Sequence, residues 1–285
     1  MPADGGFFRG RQAVLLTKHG KEQVIKPLFE EATGCRVIVE AGFDTDLFGT
    51  FTREIGRPGT QEETARLKAR KGMELRGADL ALASEGSFGP HPLVPFVPLN
   101  REIVLLLDAR EGLEVCGEYA GTETNYAQTL VSGWEEAEQF ARQAGFPDHY
   151  LVVRPDHELH EAVIKNITAW AGLRDALTRS LALSATGKAW LETDMRAHAN
   201  PTRMKNIKKA AEDLVRLLGL QCPVCGAPGF AVTERKSGLP CEWCGLPTRE
   251  TAAGICRCLR CGFSREEPEP PDKKAPAGCC DNCNP

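Results

Sequence analysis

Cys222-Pro-Val-Cys225, Cys241-Glu-Trp-Cys244, Cys258-Leu-Arg-Cys261 and Cys280-Asp-Asn-Cys283 are the four Cys-x-x-Cys pairs of a 285-residue chain, and their reading decides how residues 222–285 fold. Ten of the twelve cysteines lie in that stretch, Cys256 and Cys279 outside the pairs. A two-residue spacer lets one tight turn aim two sulfurs at one ion, and zinc favours soft thiolates at about 2.3 Å. Gly226 and Gly245, directly after their knuckles, permit the left-handed turn that brings backbone N–H groups towards sulfur. Eight thiolates imply two structural Zn²⁺ ions, each in a Cys₄ set. Joining each knuckle to the next gives C-x₂-C-x₁₅-C-x₂-C and C-x₂-C-x₁₈-C-x₂-C, both ribbon-like spacings. An interleaved arrangement, first with third and second with fourth, stands beside it. All-Cys ligation leaves no open position for water and points away from catalytic zinc.

Upstream, the pattern is that of an α/β protein, a mixed sheet with flanking helices. Strands are predicted at Ala13–Thr17, Arg36–Glu40, Ala78–Ser84, Glu102–Asp108 and Tyr150–Arg154, and helices at Glu22–Thr33, Glu62–Arg76 and Trp134–Ala144, the last with Ser132 as N-cap. Glu114–Tyr119 reads as the second arm of a hairpin turning at Arg110-Glu-Gly112. From His157 to Leu220 only helical periodicity is apparent, broken near Ala197–Pro201, where Asn200 precedes Pro201 as a cap would. The expected organisation is an α/β domain over 12–155, a helical segment over 156–220 and a zinc-binding, zinc-ribbon-like tail over 221–285. Glu266–Pro276 reads as a flexible acidic, Pro-rich interruption of that tail.

The totals set limits on partners. A net charge of −4 gives no global attraction to nucleic acid or anionic membrane. Residues 222–285 hold eight basic and eight acidic side chains, and two Cys₄ sites would each add −2, which favours a structural or protein-binding tail over one that grips phosphate backbones. No stretch approaches about 18 uninterrupted apolar residues. Met1–Arg11 has no apolar run resembling a signal peptide, so a cytoplasmic, reducing setting is expected.

Three polar clusters sit at predicted strand ends or helix starts: Thr17-Lys-His-Gly-Lys21, Gly59-Thr-Gln-Glu-Glu-Thr64 followed by Lys68, and Ser84-Glu-Gly-Ser-Phe-Gly89. Open α/β sheets hold ligands where such loops converge, and lysines with carboxylates suit a phosphate-bearing ligand with Mg²⁺. In this order the clusters resemble the inosine/xanthosine triphosphate pyrophosphatase superfamily, over residues 12 to 110. The resemblance implies that Thr17, Lys21 and Lys68 hold phosphate and that Glu63 and Glu85 bind Mg²⁺ or activate water. Lys18 departs from that family's turn, Phe43–Arg57 looks inserted, and no base-recognising part is identifiable. The whole chain also resembles an uncharacterised bacterial family of unknown function with a Cys-rich C-terminal tail, which implies no activity.

Each cluster also has a plain structural reading. Thr17–Lys21 can be a connector, and Glu62 and Glu63 favour a helix N-terminus whatever they bind. Arg196 and Arg203 flank a helix junction where capping competes with anion binding. Two functions from different classes therefore stand: a Mg²⁺-dependent hydrolase of nucleotide or related phosphate esters, and a non-catalytic, zinc-stabilised protein- or nucleic-acid-binding regulator.

Overall fold

Alternating apolar strands and amphipathic helices build the first half. The computed structural model describes residues 6–49, 56, 58–92 and 94–285, so residues 50–55 and 57 of the expected insertion lie outside the described residues. In chain order come β1 (Gln12–Leu16), α1 (Glu22–Thr33), β2 (Arg36–Glu40), α2 (Gln61–Arg76), β3 (Leu80–Pro90), β4 (Pro98–Asp108) and β5 (Leu113–Gly121). They form a mixed sheet of order β2-β1-β3-β4-β5. β1 runs parallel to both β2 and β3, and β3, β4 and β5 follow as an antiparallel meander. On one face, Ala65, Ala69 and Met73 of α2 meet Ala81, Ala83, Ile103 and Leu105. On the other, Leu15, Leu82 and Val104 meet Ile25 and Phe29 of α1.

The β3–β4 hairpin is longer than the sequence suggests. Glu85–Gly89, expected to be a loop after the predicted strand Ala78–Ser84, continues β3, because Asn100–Glu102 pair with it (Gly86↔Glu102, Phe88↔Asn100). β1 stops at Leu16, so β3 runs on beyond its neighbour and leaves a notch at the carboxyl end of β1.

The next elements are β6 (Gln128–Val131), α3 (Trp134–Gln143), β7 (Leu151–Pro155), β8 (Ile164–Ile167), α4 (Trp170–Leu183) and β9 (Ala189–Thr193). Their strands make a second, antiparallel sheet, β6-β9-β7-β8, with Leu151, Val153 and Leu191 packed against Ala137, Leu173 and Leu177. This corrects the expectation of helix alone over 157–220. β8 is only four residues long, and β9 (Ala-Trp-Leu-Glu-Thr) lacks a β-branched run; pairing with β6 and β7 decides its conformation. Ser132 does not cap α3: Gly133 occupies that position, and the Ser132 N–H donates to Glu136 at 2.6 Å.

α5 (Pro201–Leu218) returns to the first sheet. Asn200 caps it, accepting from the Arg203 N–H at 2.9 Å, and Pro201 opens its first turn. Ile207, Ala210, Leu214 and Leu218 form its buried stripe beside Leu106 and Val115. The helix passes so close to β5 that a Cβ on Gly117 would lie 2.2 Å from the Leu214 nitrogen and 2.4 Å from the Ala210 carbonyl oxygen. The tail follows, with β10 (Val232–Ser237), β11 (Thr251–Arg257) and β12 (Ser264–Pro268) in one antiparallel sheet. β12 takes up the start of the stretch read as a flexible interruption. No helix among the described residues is long and apolar enough to cross a membrane.

Since backbone rather than a flexible side chain meets Gly117, Gly117→Val should lower unfolding free energy by about 2–3 kcal/mol or more, as overpacking does. Urea denaturation is the measurement, and an unchanged midpoint would mean that α5 does not dock as described.

Candidate functional site

The notch where β1 ends collects buried charge. The connector Thr17–Lys21 turns through left-handed backbone at His19 (φ 70°) and Gly20 (φ 77°) and delivers Lys21 to the start of α1. Lys21 Nζ donates to the Ser84 carbonyl at 3.3 Å, taking an acceptor on β3 just where β1 has ended. Lys68, from the second turn of α2, forms an ion pair with Glu85. On the opposite face, Arg203 at the start of α5 donates through Nε to Glu102 Oε1 at 2.8 Å and through Nη1 to the Met195 carbonyl. Gly86 gives the pair room, for a Cβ there would sit 2.4 Å from Glu102 Oε2 and 2.5 Å from Arg203 Nη2.

None of Lys21, Lys68, Glu85, Glu102 and Arg203 exposes more than 8% of its surface, yet three cations face two carboxylates. Burying unbalanced charge is costly, and the cost appears at Lys21. Burial, and then Arg203 and Lys68, push its ammonium down to about 7, against the opposing pull of Glu85 and Glu102. Close by, the buried Ser84 hydroxyl has no hydrogen-bond partner among the described residues, and neither has that of Thr64, one turn before Lys68.

Of the residues singled out in the sequence, Lys21, Lys68, Glu85 and Arg203 come together here. Thr17 follows β1 directly, with its side chain buried and its hydroxyl donating to the Lys18 carbonyl at 3.3 Å. Glu63 stands apart and exposed. It closes a capping box on α2, accepting from the Thr60 N–H at 2.8 Å while its own N–H donates to Thr60 Oγ1 at 3.2 Å. Arg196 turns away to Asp194 and Asn166.

Sequence reasoning passed over two members. Gln61, on the first turn of α2, donates to the Glu85 and Arg101 carbonyls at 2.8 and 3.0 Å. By sequence Glu102 reads as the polar start of an apolar strand. Its signal was an acid two residues before Val104-Leu-Leu-Leu107, where the strand is already buried.

The second site is the tail. Cys222, Cys225, Cys258 and Cys261 form one quartet, and Cys241, Cys244, Cys280 and Cys283 the other, each with its sulfurs within 4.8 Å of one another. Of the arrangements open from the sequence, the chain takes the interleaved one. The sulfurs of Cys222 and Cys261 are 3.7 Å apart, those of Cys225 and Cys258 3.6 Å, and those of Cys244 and Cys280 3.6 Å. Disulfide sulfurs sit about 2 Å apart, whereas a tetrahedron of thiolates about 2.3 Å from an ion has edges near 3.8 Å. The quartets therefore fit a metal.

Gly226, Gly245 and Gly262 each close a knuckle at positive φ, their N–H groups returning to the carbonyls of Cys222, Cys241 and Cys258. In the fourth knuckle Asn284 takes that place, donating to the Cys280 carbonyl at 2.8 Å. Burial opposes ionisation of Cys222, but the N–H groups of Cys225 and Val224 and the neighbouring thiols outweigh it and bring the thiol down to about 7. The Leu246 N–H does the same for Cys244, against burial. Cys258 is pushed up to about 12, chiefly by burial, and Cys283 likewise, first by its hydrogen bond with Cys244. Four thiolates ionise together only around a cation.

The quartets differ in support. Cys222 and Cys258 pack with Leu113 of β5, Ala227, Phe230 and Cys256, and Arg260 pairs with Glu111 at 3.1 Å. The other quartet has little beyond Ala277 around it. Cys256 is buried and Cys279 exposed, and neither belongs to a quartet.

Residues 68–285 match the family described as a domain of unknown function, DUF6671. The chain belongs to this family. The matched region takes in Lys68, Glu85, Glu102, Arg203 and both Cys quartets, while Lys21 precedes it. No curated protein and no solved structure matches the chain.

Elemental analysis of the folded chain should find two zinc ions. A chelator should remove the ion of the Cys241 quartet first, and amide exchange should rise around residues 241–250 and 277–284 before it rises near Cys222. Less than one metal per chain would exclude the metal-centre reading.

Proposed function

We propose that the chain binds a phosphate-bearing small molecule, a nucleotide or related phosphate ester, at the notch beside β1 and hydrolyses it with Mg²⁺, while zinc holds a zinc-ribbon-like tail in a structural role. The observation that carries the reading is the unbalanced charge: three buried cations against two carboxylates, at the carboxyl end of a parallel strand, with burial pushing the Lys21 ammonium down. An incoming phosphate would supply the missing negative charge. Lys21, Lys68 and the Thr17 hydroxyl would neutralise and position its oxygens. Glu85, released from Lys68 by the phosphate, would take Mg²⁺ or activate the attacking water, with Glu63 at the start of α2 as the second candidate. The resemblance of the three clusters to the inosine/xanthosine triphosphate pyrophosphatases points the same way.

A second reading keeps the tail and drops the chemistry: a non-catalytic, zinc-stabilised protein that regulates by binding a protein or nucleic acid. It is favoured by the ion pairs that already engage Glu85 and Glu102, and by the Cys quartets being the only sets of three or more converging metal-ligating groups among the described residues.

A nucleotide panel with Mg²⁺ or Mn²⁺, read by phosphate or pyrophosphate release, separates the two. Under the first reading Glu85→Gln should lower turnover at least about a hundredfold with little loss of stability. Activity equal to wild type in that variant would remove Glu85 from the chemistry.

The pH dependence has a definite sign. A bound anion raises the Lys21 pKa from about 7, so binding above that pH takes up a proton. Affinity for inorganic pyrophosphate should therefore fall by up to about tenfold per pH unit as the pH rises above neutrality. Unfolded lysine titrates at its ordinary 10.5, so the stability cost of burying Lys21 is absent above that value, grows as pH falls, and is complete below about 7. Lys21→Met should thus raise stability at neutral pH by about 1–4 kcal/mol and abolish both pyrophosphate binding and its pH slope. Calorimetric titration and thermal melts of the same samples read both.

A further inference from the structure

A second hollow, widely open to solvent and about 370 Å³ in volume, lies on the α2 face of the first sheet, between the C-terminal half of α2 and the β4–β5 turn. Its apolar wall is Met73 and Leu107; Leu113 also lines it but packs with Cys222 and Phe230. Two acids also line it, and both are already satisfied. Asp108 is held by Arg11 and accepts the Arg110 and Glu111 N–H groups at 3.1 Å each, and Glu114 accepts two bonds from Arg66 at 2.6 Å. Arg70 differs. It lines the same hollow one turn beyond Arg66, is exposed, and has no ion-pair or hydrogen-bond partner among the described residues. The hollow therefore presents an apolar wall, neutralised acids and one uncompensated guanidinium.

We propose that this hollow binds a small monocarboxylic acid with an apolar body, its carboxylate on Arg70 and its hydrocarbon against Met73 and Leu107. Guanidinium and carboxylate match as a two-pronged, charge-assisted pair, and the pairing is strongest where neighbouring apolar surface excludes water. The volume falls within the range of small-molecule pockets, room for a body of about eight carbon atoms. A bare phosphate would satisfy Arg70 but leave the apolar wall uncovered. A cationic or uncharged apolar molecule would cover the wall but leave Arg70 alone. The site is independent of the notch: neither Lys21 nor Glu85 lines it, and Arg70 has no part in the proposed hydrolysis.

The test is calorimetric or ligand-observed NMR titration of the full chain with octanoate, octylamine and inorganic phosphate. Octanoate should bind one per chain, with octylamine and phosphate at least tenfold weaker at this site. Arg70→Gln, a change at an exposed position, should weaken octanoate about tenfold. Ala109→Trp, which fills the hollow from its exposed rim, should abolish binding, with unchanged melting showing that the fold persists. Octylamine binding as well as octanoate, an unaltered affinity in Arg70→Gln, or no octanoate binding up to about 10 mM would each overturn the proposal.

Discussion

The Arg203–Glu102 pair ties the layers of this protein together. Its two residues are 101 positions apart in sequence and both are almost wholly buried. The same guanidinium reaches the Met195 carbonyl just after β9, so one side chain joins α5, the first sheet and the end of the second. Asn100 adds a bond to Glu102 at 3.0 Å, Asn206 bonds Asn100 at 2.8 Å, and Asn200 bonds both the Arg203 N–H and Asn125. A buried ion pair of this kind adds little net stability, but losing one partner strands the other, so it strongly specifies where α5 must dock. Gly86 and Gly117 are the concessions that allow that docking, one beside the pair and one beneath the helix.

What α5 carries follows from this anchor. Its first turn brings positive charge to the notch, and its far end leads directly into Cys222. The first Cys quartet thus shares apolar neighbours with β5, whereas the second is reached only through the tail's own sheet. A metal in the first quartet would therefore stabilise the hairpin it rests on as well as the tail, and one in the second would hold mainly its own knuckles.

Local signals made much of this legible in the sequence. Apolar runs marked β1, β2 and β7, Asn200-Pro201 marked the start of α5, and the knuckles marked all eight quartet cysteines. Pairing was less legible. Nothing in the spacing of the knuckles selects between consecutive and interleaved quartets, because the choice depends on how β10, β11 and β12 fold between them. β8 and β9 escaped because their conformation comes from neighbouring strands rather than from composition. Glu85–Gly89 reads as a loop because its glycines outweigh a partner strand that the local pattern does not reveal. In the notch, Lys21 and Glu85 followed from their places just after strands, and Lys68 from the helix that follows the second cluster. Glu102, and the choice between capping and charge pairing for Arg203, required knowing that α5 returns to the first sheet.

The asymmetry of charge in the notch is informative because ordinary stability does not explain it. Elsewhere each such acid is answered by an arginine, Asp108 by Arg11 and Glu114 by Arg66, and the surplus charge around Arg11 is the exposed acid Asp79 rather than a buried cation. Here an extra lysine is kept below 8% exposure, on a connector whose His19 adopts a backbone conformation that non-glycine residues seldom take. Both features cost folding free energy, and replacing Lys21 by an apolar residue of similar length would relieve the first of them. Their coincidence at the carboxyl end of a parallel strand, beside an unpartnered Ser84 hydroxyl, is the ground on which the phosphate site is proposed.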